Sequence, residues 1–239
     1  MNEIKLSNRL NAVASYIPKG SSIADIGSDH AYLPCFCILN NIAVKAIAGE
    51  VVNGPYMSAK KQVEKCNLED RIKVKLANGL FAIENEEVDC ITISGMGGPL
   101  IADILENGKD KLHKVQRLIL QPNVGGHAVR KWLFENGWKI TNEEILEEES
   151  KVYEIIVADK GLDLENYSKS FDKKFYFGPH LIREQNEAFV KKWTSELISL
   201  NNALTNISKA NPSPETEIKT KEISRKIKMI EEVLNNENT

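Results

Sequence analysis

A short polar stretch directly after an apolar run is the first place in this sequence where chemistry is expected. The run at positions 23–26 is followed at once by Gly27-Ser28-Asp29-His30, and a helical pattern, Tyr32 to Leu39, comes next. A strand, a tight turn and a helix in this order point backbone N–H groups and the positive helix end at a ligand. Asp25 closes the strand and Gly27 permits the turn, so the stretch predicts a binding site.

A second carboxylate stands near the offset that nucleotide-binding folds use. Glu50 ends the apolar segment 45–51 and lies 23 positions beyond Gly27. In α/β nucleotide-binding folds an acidic residue about 20 positions after the glycine turn meets a ribose hydroxyl. The full G-x-G-x-x-G pattern is absent, which disfavours an NAD-dependent enzyme.

Three more polar or glycine-rich breaks follow later apolar runs. They are Asn78-Gly79, Gly95-Met96-Gly97-Gly98 and Gln121-Pro122-Asn123. The carboxyl ends of parallel strands share one edge of a sheet, and ligands bind at that edge. A single turn of this kind has a structural explanation, because loops need glycine and polar groups. Five together favour a functional site.

Several of these residues have two readings. Asp29 either caps the following helix or points into the cleft near the reacting groups. His30 either relays a proton or makes a structural hydrogen bond. Asn78 either offers its amide oxygen to an adenine amine or serves the Asn-Gly turn. The Gly95–Gly98 segment either lets a flat substrate approach the backbone or forms a strained turn. Asn123 is expected to hold a base edge.

The positioning elements follow from hydrophobic periodicity. Strands are predicted over 23–26, 45–51, 71–77, 88–94 and 117–120, and helices over 3–17, 32–39, 55–66, 127–135 and from Pro99. This alternation predicts a parallel sheet covered on both faces. Strand-like runs at 138–146 and 152–158 leave too little chain between them for a crossover helix, so they predict a terminal antiparallel hairpin.

The last third of the chain changes character. Aromatic residues in Phe171–His180 precede Gly178-Pro179, which we interpret as a hinge that docks on the first domain. Apolar residues then recur at three- and four-residue steps on both sides of Asn211-Pro212-Ser213-Pro214. The pattern predicts two helices packed as an antiparallel coiled-coil hairpin. We expect one α/β domain over residues 1–160 and a helical domain over 161–239.

Composition limits the possible partners. The 239 residues carry 31 basic and 34 acidic side chains, a net charge of −3, so a nucleic acid must be met by a local patch. No signal peptide or membrane span is expected, because no window reaches about 18 apolar residues. The four cysteines are expected to be reduced thiols, without a metal site, in a cytoplasmic protein.

Charged clusters are expected at the surface. Arg9 either reaches a phosphate or is a solvated surface charge, and the solvated charge is the favoured interpretation. The acidic run is interpreted as a solvated hairpin edge that resists sheet association; it comprises Glu143, Glu144, Glu147, Glu148 and Glu149. A set of cations on helices flanking the ligand edge is expected to hold phosphates. The set comprises Lys60, Lys61, Lys65, Lys109, Lys111, Lys114, Arg130 and Lys131.

Motifs in this order resemble one family. ADIGSDHAYLP, GEV-x-x-GPY, ANGL, ISGMGG, LILQPN, VRKWLFENGW and KVYEIIVADKG are similar to the bacterial tRNA (adenine-N1)-methyltransferases that act on position 22 of the D-arm. The similarity covers residues 1–160, and FYFGPHLI with the helical tail resembles the family's C-terminal part. The resemblance implies a class I S-adenosylmethionine-dependent domain, a coiled-coil domain and tRNA as substrate for a monomeric enzyme.

The resemblance also implies roles for single residues. Asp25, Gly27, Ser28 and His30 would line the methionine side of the cofactor, Glu50 would hold the ribose diol, and Val51 would lie beside the adenine. Asn78, where similar sequences usually have Asp, and Gly79 would meet the adenine edge. Gly95 and Met96 would touch the cofactor. Residues of the two later turns would receive the target base: Gly97, Gly98, Gln121, Pro122 and Asn123.

The implied chemistry is direct attack of adenine N1 on an activated methyl group. Asp29 is the expected catalytic residue, because the N6 amine becomes acidic as N1 is methylated. Two alternatives remain at this point. One is a small-molecule methyltransferase with the same cofactor site, and the other is a non-catalytic RNA-binding protein with a vestigial pocket.

Overall fold

A seven-stranded sheet forms the centre of the protein. The computed structural model describes residues 5–83, 88–161, 171–209 and 213–235. The strands are β1 (Ser21–Ile26), β2 (Ala43–Glu50), β3 (Ile72–Leu76), β4 (Cys90–Gly97), β5 (Arg117–Val124), β6 (Trp138–Glu148) and β7 (Lys151–Lys160). The helices are α1 (Asn8–Ser15), α2 (Tyr32–Leu39), α3 (Asn53–Lys65), α4 (Gly98–Asn107), α5 (Gly126–Glu135), α6 (Phe171–Phe177), α7 (Leu181–Glu184), α8 (Glu187–Ile207) and α9 (Pro214–Leu234).

The sheet confirms the predicted fold class. Its strand order is β3-β2-β1-β4-β5-β7-β6, and the first five strands are parallel. Strand β7 is antiparallel to both β5 and β6. The hairpin turns at Glu149 and Ser150, which both have positive φ angles, as a two-residue type I′ turn requires. The order reverses between β1 and β4, which is where doubly wound sheets bind ligands.

Two predicted turns are instead parts of strands. Strand β4 continues through Gly95 to Gly97, and β5 continues through residues 121–124. Their pairing shifts register around Met96, opposite Pro122, so the extra length contains a bulge. The backbone of this bulge is satisfied by side chains, which a local pattern does not show. The lead-in helix is also shorter than predicted, because Ser7 caps it and it begins at Asn8.

The core lies on both faces of the sheet, as the near-continuous apolar strands predict. On one face, α4 and α5 pack Ile101 and Leu133 against strand residues such as Ile91. On the other face, α1 and α2 contribute Val13 and Ile38. Among the described residues, no helix is long and apolar enough to cross a lipid bilayer.

A third apolar cluster joins the last helices to the sheet. Phe189 and Trp193 of α8 pack with Ile230 and Val233 of α9, and Ile145 of β6 completes the cluster. The end of α8 meets the start of α9, so the two helices are antiparallel. Supercoiling of this pair, and the division of the chain at residue 160, stay predictions. Residues 210–212 of the predicted proline turn lie outside the described residues.

A buried ion cluster corrects two expectations about surface charge. Arg130 of α5 is fully buried between Glu143 of β6 and Glu154 of β7, at N–O distances of 2.6 and 2.7 Å. Lys192 of α8 also binds Glu154. The expectations that Arg130 holds phosphates and that Glu143 is solvated are therefore wrong.

The cluster extends to the start of the C-terminal helices. The N–H of His180 donates to Glu143 at 2.9 Å, and Arg130 donates to the Phe175 carbonyl at 3.3 Å. Burial opposes ionisation of Glu154, but Arg130 and Lys192 together hold its pKa below the usual range. The ion cluster thus ties α5, the hairpin and α8 into one unit.

Replacement of Arg130 by Met tests this cluster. Arg130→Met leaves two buried carboxylates short of a partner, so we expect the free energy of unfolding to fall by about 3–5 kcal/mol at neutral pH. Urea unfolding measures the change. The neighbouring Lys131→Met is the control, since Lys131 forms an exposed pair with Glu135 at 3.7 Å and we expect a loss of less than about 0.5 kcal/mol. Equal effects of the two changes would contradict the structural role of the cluster.

Candidate active site

A cleft of about 330 Å³ opens where β1, β4 and β5 end. It brings together seven of the residues predicted from the turns. These are Asp25, Gly27, Ser28, Asp29, Gly95, Met96 and Asn123. Six further lining residues were not among the predicted site residues: Arg9, Leu10, Tyr32, Leu33, Ser94 and Tyr153.

The turn after β1 has an unusual backbone. Gly27 has a φ of +73°, and Asp29, His30 and Ala31 are also in the left-handed region. Left-handed backbone angles raise the conformational energy of residues that carry a side chain. Such a run therefore persists where the surrounding structure fixes it. Ser28 and Gly27 both donate to the carbonyl of Gly49, at 3.2 and 2.9 Å, which anchors the turn to β2.

Asp29 does not cap the following helix. The N-cap of α2 is Ala31, which has no side chain for capping. The Asp29 carboxylate is 75% exposed at the rim of the cleft, 3.5 Å from Nε2 of His30. The His30 ring stacks on Tyr32 at 5.4 Å. Of the two readings of Asp29, the geometry excludes the cap and leaves the carboxylate at the cleft.

Asp25 is a buried carboxylate at the floor of the cleft. It is 4% exposed and accepts hydrogen bonds from Ser28 Oγ at 2.7 Å and Thr92 Oγ1 at 2.6 Å. Burial raises its pKa, although these two bonds and the charge of Arg9 oppose the rise. Among the described residues, no Lys or Arg lies within ion-pair distance of this carboxylate.

Glu50 connects the turn after β1 with the turn after β3. It is 6% exposed, and its Oε1 accepts the backbone N–H of Asp29. Its own carbonyl accepts the N–H of Ala77, at 2.7 Å, just before Asn78. Burial raises the pKa of Glu50, against the hydrogen bond from Asp29. Val51, the next residue, is 63% exposed at the end of β2.

Asn78 and Gly79 lie in a second cleft beyond Glu50. This cleft has a volume of about 540 Å³, and α4 forms its other wall with Leu100, Asp103 and Ile104. Gly79 has a φ of +54°, and a Cβ there would lie 3.1 Å from Ile104. Predicted site residues thus line two clefts. Glu50 is hydrogen-bonded to the turn at each of them, through Asp29 after β1 and through Ala77 after β3.

A buried amide shapes the wall of the first cleft. Gln121 is fully buried, and its Oε1 accepts the Gly95 N–H at 3.0 Å and a bond from Arg9. Its Nε2 donates to Asn123, which donates in turn to the Gly95 carbonyl at 2.7 Å. These bonds satisfy the peptide groups of the bulge at Gly95 that strand pairing leaves free.

The remaining predicted residues lie at close backbone contacts. Gly98 begins α4, and a Cβ there would be 2.0 Å from the Gly125 carbonyl oxygen, so only glycine fits. Gly97 is the last residue of β4, and Pro122 is buried in β5. The Met96 side chain crosses to the first turn, where a Cβ on Gly27 would be 2.1 Å from its Cε.

The cleft suits a ligand with both charged and polar groups. Ser94 Oγ and Arg9 Nε are buried and lack a hydrogen-bond partner in the described part of the chain. The cleft is lined by the Gly27 turn, the Met96 side chain and the buried Asp25 carboxylate, so it offers apolar and charged surface side by side. The described residues contain no group of three His, Cys, Asp or Glu side chains placed for a metal ion.

The sheet order, the antiparallel β7 and this cleft define the fold and site of a class I S-adenosylmethionine-dependent methyltransferase. The family model described as tRNA (adenine(22)-N(1))-methyltransferase, TrmK, matches residues 23–232. The chain belongs to this family.

Individual relatives agree over nearly the whole chain. The tRNA (adenine(22)-N(1))-methyltransferase of Bacillus subtilis is 48% identical over 98% of this chain and 99% of its own length. The crystal structure of the B. subtilis m1A22 tRNA methyltransferase TrmK superposes with a TM-score of 0.92 at 46% identity, covering 97% of this chain and 99% of that chain. A putative tRNA (m1A22) methyltransferase of Streptococcus pneumoniae, solved with S-adenosyl-L-methionine, has a TM-score of 0.85 at 44% identity, covering 96% of this chain and 100% of that chain.

Asp25→Asn tests the cost of the buried carboxylate. Because the folded-state pKa of Asp25 is raised above the unfolded value of about 3.9, the contribution of this carboxyl group to stability declines as pH rises above about 4. We expect Asp25→Asn to increase the free energy of unfolding at pH 7 and to flatten this decline. Denaturant unfolding at several pH values measures both effects. The exposed Asp70→Asn is the control; a decline with pH that is the same in both variants and the wild type would refute the argument.

Proposed function

We propose that this chain transfers a methyl group from S-adenosylmethionine to N1 of adenine 22 in the D-arm of tRNA. The observation that carries this proposal is the first cleft, lined by Gly27 and Asp25, in a chain that is 48% identical to the B. subtilis enzyme over almost its full length. The S. pneumoniae relative was solved with the same methyl donor bound. A small-molecule methyltransferase or a non-catalytic RNA-binding protein remains as an outcome of the test below.

The direct test is methylation of unmodified tRNA. We expect labelled methyl groups to appear in the tRNA, and nucleoside analysis to identify 1-methyladenosine at position 22. Label in a small molecule alone would indicate the small-molecule enzyme. No label, and no rise of the melting temperature with the donor, would indicate a vestigial pocket.

The cofactor is assigned along the edge from the first cleft to the second. Asp25, Gly27, Ser28 and His30 are proposed to hold the methionine side. Glu50 is proposed to bind the ribose diol, because its second carboxylate oxygen is not used by Asp29. Val51, Asn78 and Gly79 are then proposed to contact the adenine, with Gly95 and Met96 on the opposite side. As an amide, Asn78 offers an acceptor oxygen to the adenine amine without a negative charge.

The acceptor base is assigned to the ends of β4 and β5. Gly97 presents backbone that a flat base is able to approach closely. Gly98 is buried against the Gly125 carbonyl and is proposed to position that backbone for the base. Asn123 is exposed and is proposed to contact the base edge. Gln121 is proposed as a positioning residue rather than a direct contact, since it is fully buried and bonded to Gly95 and Asn123. Pro122 is proposed to fix the backbone between them.

The residues at the cleft have a limited chemical task. S-adenosylmethionine, when bound, supplies a methyl group that its sulfonium already activates. Adenine N1 carries its own lone pair, so the protein aligns the base and excludes water rather than activating a nucleophile. Asp29, whose carboxylate is exposed at the rim of the cleft, is proposed to stabilise or accept the N6 proton as N1 gains the methyl group.

Asp29→Asn tests the catalytic assignment. We expect unchanged affinity for S-adenosylmethionine, because Asn preserves the side-chain shape and the backbone bond to Glu50. The turnover number should fall about 100-fold or more, the usual contribution of acid–base catalysis. Calorimetry and single-turnover methylation separate the two quantities. Asp70→Asn is the matched exposed control, and unaltered turnover in Asp29→Asn would remove Asp29 from this role.

The α8–α9 pair is proposed to bind the tRNA. Helix α9 carries five exposed cations: Lys219, Lys221, Arg225, Lys226 and Lys228. Arg225 already binds Asp172, and Lys228 lies 3.9 Å from Glu232. Basic side chains on a projecting element suit the phosphates of a folded RNA, which is recognised mainly by shape. The target base must also leave its stack to enter the cleft.

The double change Lys219→Gln and Lys221→Gln tests this surface. We expect weaker tRNA binding, a salt-dependence slope of the log association constant that is smaller by about 1–2, and unchanged affinity for the methyl donor. Lys45→Gln is the control, because Lys45 is exposed near the start of β2, at the amino edge of the sheet. An unchanged slope in the α9 variant would place the tRNA elsewhere.

The remaining assignments follow from the substrate. Because the substrate is tRNA, we propose that the enzyme acts in the cytoplasm. One chain supplies every residue assigned to the cleft, so we propose that it acts as a monomer. The α/β part and the helical part are proposed as residues 1–160 and 161–239, although the ion cluster around Arg130 joins them firmly.

A further inference from the structure

A groove outside both clefts lies between α5, α6 and α9. It has a volume of about 400 Å³. The rings of His127 and Tyr176 line it together with the side chain of Met229, and its cations are Arg225 and Lys226 of α9. None of these side chains is assigned to the methyl donor or to the acceptor base, so the groove is a separate candidate site.

Buried rings support the aromatic side chains of the groove. The ring centroids of His127 and Tyr176 are 6.2 Å apart, with an angle of 33° between the ring planes. Tyr176 also contacts Trp193 at 5.1 Å and meets Phe177 edge to face at 5.2 Å. Phe177 and Trp193 are buried, whereas His127 is exposed. The groove therefore offers aromatic surface in a fixed position, and unpaired bases stack on such surfaces.

The positive charge of the groove comes from α9 and not from His127. Burial lowers the pKa of His127, and the charges of Arg130 and Lys226 lower it further, so the imidazole is neutral at pH 7. Arg225 binds Asp172 of α6. Lys226 is exposed and has no ion pair among the described residues, so its ammonium is available to a phosphate.

The remaining carboxylate of the groove limits how a nucleotide fits. Asp172 is paired with Arg225, whereas Glu222 lines the groove on the same face of α9 as Lys226, four positions before it. A carboxylate repels a phosphate but accepts hydrogen bonds from the amino groups of bases. This arrangement suits a base on the side of Glu222 and its phosphate on the side of Lys226.

The groove is close to the place where the acceptor base is proposed to bind. His127 is four positions after Asn123, at the junction of β5 and α5. Four residues span at most about 14 Å. Since stacked nucleotides follow one another at about 3.4 Å, this distance corresponds to a few nucleotides of one strand.

We propose that this groove binds an unstacked nucleotide of the tRNA that lies within a few positions of the methylated adenine. His127 and Tyr176 stack on its base, and Lys226 contacts its phosphate. The proposal rests on the proposed function and adds a second base-binding site to it. A second nucleotide held outside the stack fixes the register of the RNA, so that adenine 22 rather than a neighbouring base reaches the cleft.

The test combines His127→Ala with single abasic sites in the tRNA. Dissociation constants are measured for unmodified tRNA and for tRNAs in which one nucleotide flanking adenine 22 at a time lacks its base. We expect His127→Ala to weaken binding of the intact tRNA about 5- to 100-fold, the usual effect of a lost base–aromatic contact. For one abasic tRNA the same change should have less than about a twofold effect, because the base that His127 contacts is already absent.

Lys226→Gln and a matched histidine variant complete the experiment. Lys226→Gln should lower the salt-dependence slope of the log association constant by about 1, as expected for one phosphate contact. His113→Ala removes an exposed histidine that precedes β5, at the opposite edge of the sheet, and should leave tRNA binding unchanged. Both histidine variants should keep the melting temperature of the wild type and its affinity for S-adenosylmethionine.

Two results would overturn the proposal. Equal weakening by His127→Ala for the intact tRNA and for every abasic tRNA would show that no base occupies the groove. Unchanged binding of the intact tRNA would place the groove outside the RNA interface and leave it to another kind of ligand. Failure of the wild type to methylate tRNA would instead refute the proposed function itself.

Discussion

The ion pairs of the buried Arg130 guanidinium hold the active-site cleft and the α8–α9 pair in their relative positions. Its partners come from two strands of the hairpin, and Lys192 brings in α8. The cluster also leaves no room beside it: a Cβ on Gly126 would be 2.6 Å from Glu154, and one on Gly178 would be 2.7 Å from Arg130. Gly126 begins α5, and Gly125 separates it from the end of β5. The same charged side chains therefore fix both the start of α5, next to the end of β5 at the cleft, and the α8–α9 pair.

Within the cleft, the side-chain amide of Gln121 has a comparable role on a smaller scale. A bulge at Gly95 leaves peptide groups without strand partners, and burial makes such groups expensive. Gln121 satisfies the Gly95 N–H, orients Asn123 and receives Arg9. One amide thereby connects α1, β4 and β5. This explains why three segments far apart in the sequence present their polar groups to a single cavity.

The sequence predicted the elements better than the partners. Alternating apolar runs predicted the parallel strands, and the short link at 147–151 predicted the hairpin. Arg9 and Gln121 are 112 residues apart, and no local pattern reports their contact. Periodicity also cannot separate a solvated cation from one that is buried with partners, so Arg130 was misplaced. The Gln121-Pro122-Asn123 turn was predicted from residue types that normally end strands, but here their side chains satisfy the backbone and the strand continues.

The two buried charge centres differ in a way that separates structure from function. Around Arg130, two carboxylates, a lysine and backbone groups neutralise one another, so the cluster is complete without a ligand. In the part of the chain that the structure describes, two hydroxyl groups donate to Asp25, and burial raises its pKa. Glu50 is also buried with a raised pKa. Isolated buried acids lower stability and are typical of sites matched to another molecule. The incomplete charge balance around Asp25, together with unsatisfied donors on Arg9 and Ser94, is what a zwitterionic ligand would complete.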